Sequence, residues 1–519
     1  NTFVISFYRI IFSVGKAQDF PAGFKFGVAT AAYQVEGAWN ISGRASSIWD
    51  EFVHSRPQAT ADHSTGDVAC DSFHLWRRDI DMVAELGVDF YRFSISWTRL
   101  YPNGFTNYLN EDGKRYYEDL IDTLLNRGIE PLVTLYHWDL PQKFQDLGGW
   151  TNPLVVEWFA EYARAVFTLF ADRVHTWITI NEPIALCDMV YHVGSHAPGI
   201  LSPGVGNYIC MKNVMLAHAK AWRIFDEEFR SKHYGRIAIC NMHLAYEPAS
   251  DEETEAAELA RQLFVGVYTH PIYSAAGGWP PKIEKIISDR SLKDGYNYSR
   301  LPAFTTAEKD LIRGTYDFYA MNYYTGRLVR KAKIADKYGI WPLEASTDLE
   351  VIVYPDPKWK MSDSYWLYVY PEGIRHQLNW IGKNYGNQAI IITENGYSDS
   401  KMDLNDKERV QYHRGHLKQV LLSIYEDDVN VTGYTAWSLM DNFEWNSGYT
   451  QRFGLYAVDF TSPLRTRTPR ASALYYGAVV RQRLLDPVYD NPYQTSRASN
   501  IVIHTSVNLF ITLINLMYC

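Results

Sequence analysis

Apolar residues along this chain fall into two alternating patterns. Short β-rich runs occupy residues 24–30, 90–94, 130–136, 176–180, 236–242, 318–322, 389–393 and 433–438. Between them, apolar residues recur at helical spacing. Tyr117, Leu120, Ile121, Leu124 and Leu125 line one such face, which stops at Gly128, a residue suited to ending a helix. Val410, Leu417, Val420, Leu421 and Ile424 repeat the pattern late in the chain. Strands alternating with helices predict an α/β fold with a parallel sheet, and eight of them predict closure into a single (β/α)8 TIM barrel with long βα loops. A doubly wound open sheet is the competitor. It lacks its usual marks here, because no G-x-G-x-x-G follows any run and no G-x-x-x-x-G-K-[ST] occurs. With no repeat or linker-like stretch to divide it, the catalytic barrel is expected over residues 18–486.

The two ends carry a different pattern. Residues 3–14 are apolar apart from Ser6, Arg9 and Ser13 and run into Gly15-Lys16-Ala17, so residues 1–17 are expected to be a signal peptide, the alternative being an N-terminal strand. Asn40, Asn297 and Asn430 each open an N-x-[ST] sequon, compatible with secretion. Residues 487–519 read as a C-terminal extension of unknown role, with a second apolar run at 501–519. A lipid-anchor signal there needs a polar spacer of about 8–12 residues, whereas Ser496, Ala498 and Ser499 sit almost against the run. Membrane attachment is therefore not expected.

Composition narrows the chemistry. A net charge of −9 over 519 residues argues against a nucleic-acid partner bound through basic patches. Five cysteines, none in C-x-x-C, exclude a disulfide-built scaffold and give no zinc ribbon, and pairing among Cys70, Cys187, Cys210 and Cys240 stays open. Aromatic residues make up 15 % of the chain, which serves either core packing or stacking on sugar faces.

Barrel enzymes place their chemistry at the C-terminal strand ends. Here several apolar runs end in polar or aromatic groups: Arg92 stands in the last part of the second, His137, Trp138 and Asp139 follow the third, and Asn181 and Glu182 follow the fourth. Asn322 ends the sixth with Tyr323 and Tyr324 beyond it, Glu394 and Asn395 follow the seventh, and Trp437 and Ser438 end the eighth. Carboxyl groups are costly to bury unless paired, so Glu182 and Glu394 at one barrel mouth invite a catalytic reading. Glycosidic cleavage uses such a pair, one to protonate the leaving oxygen and one to attack or to activate water. As isolated residues, each is read equally well as a solvated loop carboxylate.

Longer motifs then resemble a known family. F-K-F-G-V-A-T-A-A-Y-Q-V-E-G at 24–37, T-I-N-E-P at 179–183, I-T-E-N-G at 392–396, M-D-N-F-E-W at 440–445 and R-F-G-L at 452–455 stand in the order found in glycoside hydrolase family 1, the clan-A β-glucosidases. The resemblance extends from about residue 20 to about 484. It implies a retaining, exo-acting β-glucosidase that works by double displacement on small β-O-glucosides, without cofactor or metal. Glu394 is similar to the family's nucleophile and Glu182 to its acid/base. Arg92 and Asn322 match positions that support the nucleophile, and Tyr324 one that hydrogen-bonds it. Gln34, His137, Asn181, Glu444 and Trp445 match glycone-binding positions, Trp437 the stacking floor, Trp138 and Phe453 the same pocket, and Trp366 a position flanking the aglycone.

Two retained residues refine this expectation. Glu444 disfavours 6-phosphorylated glucosides by like-charge repulsion. Glu182 is absent from the plant-type thioglucosidases, yet an enzyme with both glutamates can still turn over thioglucosides, so a myrosinase-like activity is the alternative. A catalytically silent sugar-binding homologue is a more distant one, because such proteins usually lose a glutamate. His413 and His416, spaced as on a solvated helix face, would be the basis for a metal reading, but no third ligand accompanies them.

Overall fold

The computed structural model describes residues 19–337 and 345–493. All eight apolar runs become parallel strands: β1 Lys25–Ala29, β2 Phe90–Ser94, β3 Glu130–Tyr136, β4 Thr176–Asn181, β5 Arg236–Pro248, β6 Tyr319–Lys331, β7 Ile390–Asn395 and β8 Val431–Trp437. Strands this uniformly apolar are stable only with both faces covered, which a barrel wrapped in helices provides. Each strand pairs with the next in sequence, β6 with β7 among them, and β8 closes on β1 from Lys25 opposite Gly433 to Ala29 opposite Trp437. The fold is a (β/α)8 TIM barrel.

β5 and β6 run well beyond the stretches predicted for them. Their outer halves stay paired as far as Pro248 opposite Val329, and Val351–Tyr354 adds antiparallel to β6. The two strands thus rise above the barrel rim as a small flap.

Helices cover the outside. In Glu111–Asn126, Tyr117, Leu120, Ile121 and Leu124 are buried, but Leu125, expected with them, is 38 % exposed. It lies one residue, about 100°, round from Leu124 and falls off the buried stripe. Helix Lys407–Tyr425 buries Leu417, Val420 and Leu421, with Val410 and Ile424 packed at the margin. It also buries His413 and His416, which correct the solvated face expected for them. His413 Nδ1 lies 2.8 Å from the Tyr434 hydroxyl, and His416 Nδ1 lies 2.8 Å from the Tyr412 carbonyl. Burial pushes both rings down to about 3, so they are neutral core residues.

Inside the barrel, Phe90, Leu132, Ile178, Ala238, Phe318 and Ile391 fill the lower layers as one apolar plug. Gly27 makes room for it, because a Cβ there would lie 2.1 Å from the Phe90 ring. Above the plug the interior turns polar, and here the ladders lose their regularity. Register shifts fall between Ile178 and Asn181 on β4 and between Ile392 and Glu394 on β7. Such irregularities re-aim side chains at strand ends, and these two lie on the strands that carry Glu182 and Glu394. The chain has one disulfide among the described residues, Cys187–Cys210, while Cys70 and Cys240 are free and buried. The segments 1–17 and 501–519, expected as signal peptide and apolar tail, lie outside the described residues.

Candidate active site

Glu182 follows directly on β4 with its backbone in the left-handed region (φ +46°), where its N–H bonds the Cys240 carbonyl at 2.8 Å. Two chamber aromatics, Trp138 (φ +74°) and Trp445 (φ +47°), share this conformation. It costs a non-glycine residue about 1–2 kcal/mol and persists where the surroundings over-determine it, as at functional sites. Glu394 sits at the end of β7. The Gly396 that closes its motif has a packing reason, since a Cβ there would lie 1.9 Å from the Trp437 carbonyl.

The two carboxyls have unequal partners. Glu394 accepts from Arg92 Nη1 at 2.6 Å through Oε1 and from the Tyr324 hydroxyl at 2.7 Å through Oε2. Arg92 is 1 % exposed, and its remaining donors go to the Thr393 carbonyl, Thr134 Oγ1 and Asn181 Oδ1. Glu182 has only a neutral donor, Asn322 Nδ2, at 2.7 Å from Oε1. Asn322 thus stands differently from the expectation: its direct bond is to Glu182, although it also favours the charged form of Glu394. Burial raises both carboxyls. For Glu394 the guanidinium and the phenol oppose that rise, whereas for Glu182 the charge of Glu394 adds to it. The pair is thus unequally supported, with a cation and a phenol on Glu394 and one neutral donor on Glu182.

Around them lies a chamber of about 450 Å³, within the range of small-molecule sites. Trp437 and His137 stack at 6.0 Å and 15°, and Trp138 meets Trp445 at 4.8 Å. His137 Nε2 faces Asn181 Nδ2 at 3.1 Å. Arg92 takes the oxygen of that amide, so Nε2 is the acceptor and the ring proton resides on Nδ1. Burial first, and Arg92 second, hold the ring neutral. Glu444 lines the chamber, pushed up to about 8 by burial and by the charge of Glu394. Gln34 is fully buried behind it, donating to Asn442 Oδ1, the Phe443 carbonyl and Glu444 Oε2. Trp366 and Phe453 stand at the outer end, 6.3 Å apart and near parallel.

Of the expected site residues, the chamber wall therefore holds both glutamates, His137, Trp138, Asn181, Tyr324, Trp366, Trp437, Glu444, Trp445 and Phe453. Gln34, Arg92 and Asn322 stand behind it as supports. Sequence reasoning missed Met189, His196, Met242, Tyr365 and Gln451, which also line it. They sit mostly in irregular loops with no motif. It also passed over Cys240, which lies inside the run at 236–242. No Lys or Arg lines the chamber among the described residues.

Comparison with known proteins gives the family. The sequence profile of glycosyl hydrolase family 1 matches residues 16–484. Myrosinase 1 of Brevicoryne brassicae is 43 % identical over 466 residues, covering 89 % of this chain and 98 % of that protein. The cytosolic beta-glucosidase of Homo sapiens is 43 % identical over 471 residues, covering 90 % of this chain and 99 % of its own. Among solved structures, aphid myrosinase superposes with a TM-score of 0.86 at 42 % identity, covering 90 % of this chain and all of that one, 100 %. A fungal β-glucosidase from Humicola insolens, in complex with glucose, gives 0.82 at 34 % identity, covering 90 % and 99 %.

Proposed function

The chain belongs to glycosyl hydrolase family 1, and from that premise we propose that it is a retaining, exo-acting β-glucosidase that cleaves β-O-linked glucosides by double displacement. The observation that carries the reading is the unequal pairing of the two buried carboxyls. Glu394, held ionised by Arg92 and Tyr324, attacks the anomeric carbon while Glu182 gives its proton to the departing oxygen. Esterification removes the negative charge of Glu394 and with it the repulsion that raised Glu182. Glu182 then takes a proton from water, which attacks the same carbon and frees Glu394. Two inversions give net retention.

A flat, neutral, apolar leaving group suits the outer chamber. Trp366 and Phe453 offer near-parallel ring faces, and the acidic side chains of the wall are Glu182, Glu394 and Glu444. An anionic thioglucoside would find no Lys or Arg among the described lining residues to pair with its charge. Thioglucoside hydrolysis remains the second reading, favoured by the likeness to a protein named myrosinase and open to the same two glutamates. The enzyme is further proposed to be secreted and glycosylated. Asn40, Asn297 and Asn430 are all exposed, and the Cys187–Cys210 disulfide fits an oxidising compartment.

The test is kcat/KM on an aryl β-glucoside, β-galactoside and β-fucoside, cellobiose and an alkenyl thioglucoside, with the anomer of the first product read by proton NMR. Strong O-glucoside turnover with a β-anomer first product is expected. An α-anomer would overturn retention, a thioglucoside preference would install the second reading, and a folded protein inert on the whole panel would point to a sugar-binding homologue.

A further inference from the structure

Cys240 is wholly buried within the predicted portion of β5, outside the chamber wall, and the mechanism makes no use of it. Its contacts nevertheless converge on Glu182. Its carbonyl accepts the Glu182 N–H that fixes the left-handed turn. Its Sγ donates to Asn322 Oδ1 at 3.0 Å, and the Thr393 hydroxyl donates to the same oxygen at 2.8 Å. Burial pushes the thiol up to about 12, so it keeps the proton it donates.

A primary amide has one accepting end and one donating end. Two donors on Oδ1 leave Nδ2 on the far side, where it meets Glu182 Oε1 at 2.7 Å and Asn181 Oδ1 at 3.2 Å. Flipped, the amide would give up both bonds its oxygen accepts and would turn that oxygen toward Asn181 Oδ1, which can only accept. We propose that Cys240 and Thr393 are positioning residues that lock the Asn322 amide with its donor on Glu182 and so help set the pH at which the acid/base gives up its proton. This rests on the role of Glu182 proposed above.

Nδ2 bonded to Oε1 favours the ionised form, opposing burial and the like charges around it. The charged and titratable groups facing Glu182 are Arg92 from β2, His137 through Asn181, Cys240 from β5, Tyr324 from β6, Glu394 from β7 and Glu444 from the loop after β8. None of the others sets the orientation of the amide oxygen. The acid-side relay is therefore a local one, running from two small donors through one amide.

The experiment is the pH profile of kcat/KM on phenyl β-glucoside, whose poor leaving group needs the proton. In Cys240→Ala/Thr393→Val the amide is free to turn, Glu182 loses its donor, and the basic limb is expected to move up by about one pH unit. Cys240→Ser keeps a donor on Oδ1 and is expected to hold the limb within about 0.3 unit of wild type, a rescue that a mere packing role would not give. A folded double variant with an unmoved limb overturns the proposal, as does a Cys240→Ser shift as large as the double variant's. If the double variant does not fold, Cys240→Ala and Thr393→Val taken singly carry the same test with about half the shift. Glu182→Ala separates the premise: it should lose kcat/KM on phenyl glucoside and retain kcat/KM on 2,4-dinitrophenyl glucoside, whose departure needs no acid, while kcat on the latter falls with the lost base. Loss of both removes the acid role and the relay together, whereas an intact acid role with an unmoved limb removes the relay alone.

Discussion

Tyr324 donates its phenolic proton to Oε2 of Glu394 at 2.7 Å, the carboxylate oxygen that Arg92 leaves free. Each oxygen of the nucleophile thus has its own donor. Tyr324→Phe removes one of them and favours the protonated acid, so the acidic limb of the kcat/KM profile should move up by about one pH unit, with kcat down about 10–100-fold. A pH–rate profile between pH 4 and 8 on an aryl glucoside checks both, and an unmoved acidic limb would place control of that limb elsewhere.

Removing the nucleophile outright tests its identity by stereochemistry. Glu394→Gly should abolish hydrolysis, and azide should restore turnover of an activated β-glucoside by attacking from the vacated face, giving the α-glycosyl azide. Product NMR decides it, and a β-configured azide from that variant would contradict the assignment of Glu394.

Glu444 carries a cost that grows with pH. Its folded-state value is pushed up to about 8, above the ordinary carboxylate range near 4.3. The folded form therefore holds the proton more tightly than the unfolded chain does. The stability contributed by that preference is fully present below the unfolded value and is lost as pH rises through the folded one. Glu444→Gln has no such dependence, so its Tm relative to wild type should climb by about 2 °C between pH 5 and pH 8. Differential scanning calorimetry at the two pH values measures it. The same variant should lose about 100-fold in kcat/KM for glucosides, because the amide puts an NH2 where the carboxyl offers an oxygen to sugar hydroxyls.

Trp366 should matter only to leaving groups with a flat face. Trp366→Ala is expected to raise KM about tenfold for aryl glucosides and to leave octyl glucoside nearly unchanged. Equal losses on both would mean that Trp366 packs the chamber and does not select the aglycone.

The Cys187–Cys210 bridge ties down the loop that brings Met189 and His196 to the chamber. Replacing both cysteines with serine should cost about 2–4 kcal/mol of stability and blur discrimination among leaving groups while sparing the glycone. Urea denaturation and the aryl-to-alkyl ratio of kcat/KM read the two effects separately.

The barrel could be read from the chain because parallel strands covered on both faces become unbroken apolar runs, each stopping where the polar mouth begins. Glu182, Glu394 and Trp437 stood at such stops, inside motifs long enough to identify. Less legible were features that depend on the third dimension. Leu125 differs from its buried neighbours only by its angle round a helix. His413 and His416 look like surface residues until Tyr434 and the Tyr412 carbonyl are placed beside them. Met189, at the end of the helical turn Ala185–Met189, and His196, in the loop beyond it, follow a course tied by a disulfide partner that spacing alone cannot choose. The orientation of Asn322 depends on Cys240 and Thr393, from two other strands, and leaves no periodic trace.

The apolar plug of Phe90, Leu132, Ile178 and Phe318 has a consequence for traffic through the barrel. It seals the floor beneath the sugar, so glucose must leave by the doorway through which the next substrate arrives. Departing product and incoming glucoside then compete for one passage, and glucose should inhibit competitively. At high substrate concentration, a second sugar waiting in that doorway stands where water would attack and can take the glycosyl group in its place. A sealed floor thus gives a hydrolase the capacity to build the bond it breaks.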